Sequence, residues 1–144
     1  MSQLSAIAYT STSVHPMSRV DIEALLFKCR AFNSAVGVTG ALLLSDRTFF
    51  QYFEGPPEGV GQAYKRIIES ARHTKICELF NEAIEKRLFS QWQMGFAEVP
   101  DSLVLLLEQA QWRRDVGALT TTKDRAPGLD LLLEFWGKAN VQVR

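Results

Sequence analysis

Residues 48–57 read T-F-F-Q-Y-F-E-G-P-P. Phe49, Phe50, Tyr52 and Phe53 make this a strand of aromatics, and G-P-P ends it. Just upstream, V-T-G-A-L-L-L (38–44) reads as another strand, and Ser45-Asp46-Arg47 is a short turn, so the two form a β-hairpin. In the middle of its aromatic strand sits a neutral amide, Gln51. A buried amide needs hydrogen-bond partners. The rest of the chain must supply them.

Strands and helices alternate around this hairpin. Residues 3–11 predict a first strand, with Ile7 and Tyr9 on one face. Ser18, followed three residues later by Asp21, predicts a helix N-cap. That helix runs to about Ser34, with Ile22, Leu25, Leu26, Cys29 and Phe32 as its apolar stripe, and Gly37 stops it. A second helix starts near Pro57, with the stripe Val60, Ala63, Tyr64, Ile67, Ile68 and Ala71. Residues 75–84 and 93–99 predict two more strands, joined through the irregular or helical turn R-L-F-S-Q-W.

The order β-α-β-β-α-β-β predicts an α+β, ferredoxin-like fold: a five-stranded mixed sheet with two helices on one face. D-S-L-V-L-L-L-E-Q-A and G-L-D-L-L-L-E-F-W predict two C-terminal helices separated by a polar, loop-like stretch over 112–127. The second of them aligns Leu129, Leu132, Leu133 and Trp136. Residues 1–99 are thus expected to form the domain. Residues 100–144 form a helical extension, too short for a core of its own, that packs on the bare sheet face or on a partner.

The 144 residues fit one domain, and 47% apolar with 22% charged residues is ordinary for a globular chain. A formal net charge of zero argues against bulk electrostatic binding of nucleic acid or an anionic membrane. The N-terminus has no basic start or long apolar run, and no apolar stretch reaches the roughly 18 residues of a membrane span. A cytoplasmic protein is expected. Cys29 and Cys77, without a C-x-x-C, read as buried free thiols in a reducing compartment, and His15 and His73 lack metal-ligand spacing.

Enzymatic readings find little support. The sequence has no defensible Ser-His-Asp set, no G-x-x-x-x-G-K and no G-x-G-x-x-G. The aromatic strand also lacks the Lys or Arg that an RNA-recognition module would carry there.

Period-two alternation groups Ile7 with Tyr9, then Phe49, Gln51 and Phe53, then Trp92, Met94 and Phe96. Periodicity does not say which face meets the helices. If it is this one, Tyr9, Gln51, Trp92 and Met94 converge beneath them. The phenol and the amide then satisfy each other, and a polar pair in a core is the plain reading.

Several stretches together resemble one family. They are I-A-Y-T-S, N-S-A-V-G-V-T-G-A-L-L-L, F-F-Q-Y-F-E-G-P, R-I-I-E-S-A-R-H and F-S-Q-W-Q-M-G-F. With intervals of 24 residues from Tyr9 to Asn33, 42 from Tyr9 to Gln51 and 41 from Gln51 to Trp92, residues 4–99 look like a BLUF domain, a flavin-binding blue-light sensor. The chain departs from the family's common residues at Cys29, Phe32 and Ser70.

The resemblance implies FAD, bound non-covalently with its ring between the two helices. Leu25 and Ile67 would flank the ring, and Phe32 would stack at its edge. Asn33 would pair with the ring's polar edge, with helix C-capping as its alternative. Arg66 would sit near a ring carbonyl. Arg72 and His73 match the family's R-H pair, with capping of the helix end as the other reading.

The resemblance further implies that Tyr9 gives excited flavin an electron and that a proton follows through Gln51. The amide then returns in a changed tautomer or rotamer. Trp92 and Met94 compete for the place beside it and pass the signal to the last strand. Output would go to a separate, unidentified partner protein, with a homo-oligomer built on the Leu-rich tail. A light-insensitive flavin- or ligand-binding module is the alternative function.

Overall fold

The computed structural model describes residues 3–90, 94–110, 112 and 127–138. The chain runs β1 (Leu4–Ser13), α1 (Arg19–Val36), β2 (Thr39–Ser45), β3 (Thr48–Gly55), α2 (Pro57–Glu69), β4 (His73–Ile84), β5 (Gly95–Glu98), α3 (Asp101–Gln109) and α4 (Pro127–Lys138). This is the β-α-β-β-α-β-β order read from the sequence, followed by two helices. β1 and β4 begin or end two residues beyond their expected bounds, and β5 is shorter than expected, leaving Met94 just ahead of it.

Local chemistry sets the boundaries of α1. Its N-terminus is a reciprocal capping box: Asp21 N–H donates to Ser18 Oγ at 3.1 Å, and Ser18 N–H donates to Asp21 Oδ2 at 3.0 Å. At its end Gly37 adopts φ 77°, a left-handed conformation open to glycine at little cost, and its N–H returns to the Asn33 carbonyl.

The five strands lie in the order β4-β1-β3-β2-β5. The β2–β3 hairpin pairs antiparallel from Thr39↔Glu54 to Ser45↔Thr48. β1 pairs antiparallel with both β3 and β4, so β3 lies between β1 and β2, and β1 lies between β3 and β4. Each helix therefore crosses over one strand, as in a split β-α-β unit. β5 joins parallel to β2 through Ala41↔Gly95 to Leu44↔Glu98. At the opposite edge, β4 carries exposed charged residues and an irregularity near Lys75, whose φ is 57°. Both features discourage a further strand from adding there.

The alternation on β3 sorts two cores. Phe49 and Phe53 join Ile7, Tyr9, Leu42, Leu44, Met94 and Phe96 under Ile22 and Leu26 of α1 and Val60 and Ala63 of α2. Phe50 and Tyr52 face the other way, with Ala8, Leu43, Phe80 and Phe89. That second face is covered by Val104 and Leu107 of α3, Leu129, Leu132 and Trp136 of α4, and Trp112. The face that periodicity left undecided is thus settled: Tyr9, Gln51 and Met94 lie on the side of α1 and α2. Trp92 and most of the stretch expected to be loop-like, 113–126, lie outside the described residues.

The expectation of two buried cysteines is corrected. Cys29 is half-buried and Cys77 exposed, because Cys77 belongs to the edge strand β4, whose outer residues have no covering layer. Among the described residues no helix is long and apolar enough to cross a membrane, and no cluster of His, Cys, Asp and Glu could hold a metal ion.

Candidate functional site

Strand register builds the site. Tyr9 and Gln51 are direct partners across the β1–β3 ladder, and Leu42 is the partner of Gln51 on its other side. Side chains on directly opposed residues of one face lie close together. The Tyr9 hydroxyl donates to Gln51 Oε1, and Gln51 Nε2 donates to Met94 Sδ at 3.5 Å. Tyr9, Gln51 and Met94 are all buried. The amide thus has a phenol at its oxygen end and a thioether, a weak acceptor, at its nitrogen end.

Met94 is fixed from α1 as well, since Arg30 Nε donates to its carbonyl at 2.9 Å. Burial is the main cause that pushes the Tyr9 phenol well above its ordinary pKa, with smaller contributions from Cys29 and Tyr64. Tyr9 therefore stays a neutral donor.

Above this pair lies a cavity of about 310 Å³ between α1 and α2. Tyr9, Leu42, Phe49 and Gln51 form its floor, Leu25 and Ile67 contribute its apolar walls, and Lys28, Arg66, Arg72 and His73 stand around it. α1 and α2 approach each other closely at Gly59, where a Cβ would come within 2.2 Å of the Val36 carbonyl oxygen. That contact sets the spacing of the two walls.

The lining fits FAD. Apolar walls suit a flat ring, an amide at the floor suits its polar edge, and three cations suit a pyrophosphate. With a chain net charge of zero, these three cations against one acid on the lining, Glu69, make a local excess of positive charge.

The expected site residues other than Trp92, which lies outside the described residues, fall into three groups. Tyr9, Gln51, Leu25, Arg66, Ile67, Arg72 and His73 all line the cavity. Met94 lies beneath it, on Gln51. Phe32 and Asn33 are further along α1 and outside the cavity lining. Phe32 is half-buried, with the Arg66 guanidinium 4.6 Å above its ring, a cation–π contact that ties it to the cavity rim. Asn33 is buried, and its backbone carbonyl accepts the N–H groups of Gly37 and Val38 that end the helix.

His73 ties two elements together. Its Nε2 lies 2.8 Å from the Ile67 carbonyl and its Nδ1 lies 2.7 Å from Ser11 Oγ. A carbonyl only accepts, so Nε2 carries the proton. His73 thereby satisfies a carbonyl in the last turn of α2 as well as lining the cavity.

Two residues with evident bearing on the site were missed by the sequence reading. Tyr64, read only as part of the α2 stripe, lies 6.2 Å from the Tyr9 ring centre to centre and donates to Glu78 Oε1 at 2.9 Å. Burial, followed by that bond, pushes its phenol up to about 12. Its position three residues before Ile67 on one stripe was the available signal. Glu54, assigned no role in the sequence reading, is fully buried on the opposite sheet face. A carboxylate on the inward alternation of an aromatic strand was its signal.

Comparison with known proteins agrees with this geometry. Over 95 residues the chain is 32% identical to the photoactivated adenylate cyclase subunit beta of Euglena gracilis, a match covering 65% of this chain and 11% of that protein. The chain thus spans about a tenth of the curated relatives it matches first. Its fold superposes on the dark-state structure of the BLUF protein BlrB with a TM-score of 0.70 and 25% identity, covering 94% of this chain and 98% of that one. A bacterial light-regulated adenylyl cyclase matches with a TM-score of 0.64 and 31% identity, over 66% of this chain and 28% of that one. The family described as sensors of blue-light using FAD matches residues 4–95, and the chain belongs to this BLUF family.

Proposed function

We propose that this protein is a blue-light receptor that holds FAD between α1 and α2 and signals by rearranging the hydrogen bonds of Gln51. The observation that carries this reading is the Gln51 amide, held between the Tyr9 hydroxyl and Met94 Sδ at the floor of the inter-helix cavity. When bound, FAD supplies the absorption of blue light and a strongly oxidising excited state.

The chain's own residues supply position and a proton route. Leu25 and Ile67 would flank the ring, Arg66 would hold a ring carbonyl, and Lys28 and Arg72 would hold the phosphates. Phe32 and Asn33 serve the ring's edge, with His73 fixing the end of α2. Tyr9 is neutral and already hydrogen-bonded, so when it gives up an electron the proton leaving its oxygen has Gln51 Oε1 as acceptor. An amide donates at one end and accepts at the other, so a flipped or tautomerised Gln51 presents a different pattern to its neighbours. Met94, and Trp92 near it in sequence, receive that change and pass it to β5.

Residues 1–99 form the sensor in this reading, and 100–144 form an extension through which output reaches a separate protein or a second copy of the chain. Exposed Leu105 and Leu106 on α3 support such a contact. The chain itself is a cytoplasmic signalling protein and performs no catalysis. An absorption spectrum before and after blue light tests the proposal. A yellow protein with a reversible red shift is expected. A colourless protein overturns it, and a yellow one without a shift favours a light-insensitive flavin module.

A further inference from the structure

Glu54 has no part in the scheme above, yet its side chain is completely buried. Three donors converge on it. Tyr52 Oη donates to Oε1 at 2.9 Å, Leu88 N–H donates to Oε1 at 2.9 Å, and Phe89 N–H donates to Oε2 at 2.5 Å. Two of these donors are backbone groups of the connection between β4 and β5. The neighbouring Arg87 clamps the same connection to the junction of α1 and β2, donating to the Gly37 carbonyl at 2.8 Å and to Thr39 Oγ1 at 2.9 Å. Phe89 is buried against the Tyr52 ring, with centroids 5.4 Å apart.

The same strand grips the other end of this connection. Gln51, three residues before Glu54 and on the opposite face of β3, holds Met94 Sδ. Leu88 and Phe89 on one side of the connection, and Met94 on the other, are therefore each attached to β3. The first attachment is a multi-donor bond to a carboxylate, a strong contact, and the second is a weak amide–thioether bond. A change in the Gln51 amide acts directly on the weak attachment, whereas Glu54 lies on the opposite face of β3.

We propose that Glu54 is a positioning residue for the light response: its carboxylate is the fixed anchor that returns Met94 to Gln51, and it thereby sets how long the signalling state lasts. The inference rests on Gln51 being the switching amide. A protein that shows no red shift at all refutes that reading, whereas a shift with unaltered kinetics in the variants below refutes this one. Glu54→Gln keeps the side chain's shape but replaces one acceptor oxygen with a donor, so it opposes one of the two backbone amides.

The E54Q protein is expected to bind FAD and to shift red by the wild-type amount, but to return to the dark state about fivefold more slowly, a change in keeping with one weakened charge-assisted bond. In an M94A background, E54Q is expected to add less than about twofold, because the anchor acts through Met94. Recovery of E54Q at the wild-type rate, or a full multiplicative effect on top of M94A, overturns the proposal.

Two further readouts separate these dependences, the first needing no light response and the second no variant. With FAD removed, the Met94 methyl resonance is expected to differ between wild type and E54Q, and an unchanged resonance counts against the anchor. In the wild-type protein, hydrogen exchange at Leu88 and Phe89 is expected to stay slow in both dark and light while Gly95 changes. Equal loss of protection at all three amides under light means that Glu54 is not fixed, and the proposal fails.

Discussion

Tyr9 and Gln51 divide one task between unlike groups. The phenol holds a proton that its buried setting will not release to water, and the amide next to it can change which end gives and which receives. Removing either function separates the roles. Tyr9→Phe keeps the ring that packs at 6.3 Å from Phe53 but deletes the hydroxyl. Gln51→Leu keeps the volume but deletes both polar ends. Each variant is expected to purify with FAD and to lose the red shift completely, as read by difference absorption. A Y9F protein that still shifts would remove Tyr9 from the electron-donor role. Flavin is expected to stay bound in both because the cavity walls at Leu25 and Ile67 are untouched.

At the level of elements, the spacing of α1 and α2 is set where Gly59 meets the Val36 carbonyl. Gly59→Ala puts a methyl group within 2.2 Å of that oxygen, so the helices must separate. An overpacking cost of about 1–3 kcal/mol is expected, together with weaker FAD binding as the walls part. Denaturant unfolding and flavin titration measure the two effects.

What the sequence disclosed about these elements follows from range. The Ser18–Asp21 box, the Gly37 stop and the Asp46 turn are local, so a few residues specify them. The contact between Tyr9 and Gln51 was legible as a need for partners, but only the β1–β3 register makes them direct opposites. The face of the sheet that carries them depends on which layer α1 and α2 cover, a matter of packing that alternation alone leaves open. The alternation of β3 hinted that Glu54 points inward, but two of its three donors are the backbone amides of Leu88 and Phe89, and a backbone donor leaves no mark on the sequence.

Over the whole molecule, three tyrosines tie stability to pH. Burial is the first cause that raises Tyr9 and Tyr52, with Glu54 adding to the shift at Tyr52, and Tyr64 is pushed up to about 12. Below the ordinary phenol value of about 10, both folded and unfolded chains keep these protons and the groups cost nothing. As pH rises past it, the unfolded phenols ionise first while the folded ones do not, so folding stability declines from about pH 10 toward the folded values. Thermal midpoints taken across the alkaline range are expected to fall steadily, and less steeply in Tyr52→Phe. A midpoint that is flat across that range contradicts the burial of these rings.

The insertion of β3 between β1 and β2 also imposes an order in time. The hairpin closes across a turn centred on Asp46 and Arg47, whereas Tyr9 meets Gln51 across 42 residues. Short loops close sooner than long ones, and distant pairings form late. A newly made chain therefore has its amide in place before its phenol arrives. The floor of the cavity is completed only when β1 docks, so if the flavin binds there as proposed, its capture reports the end of folding.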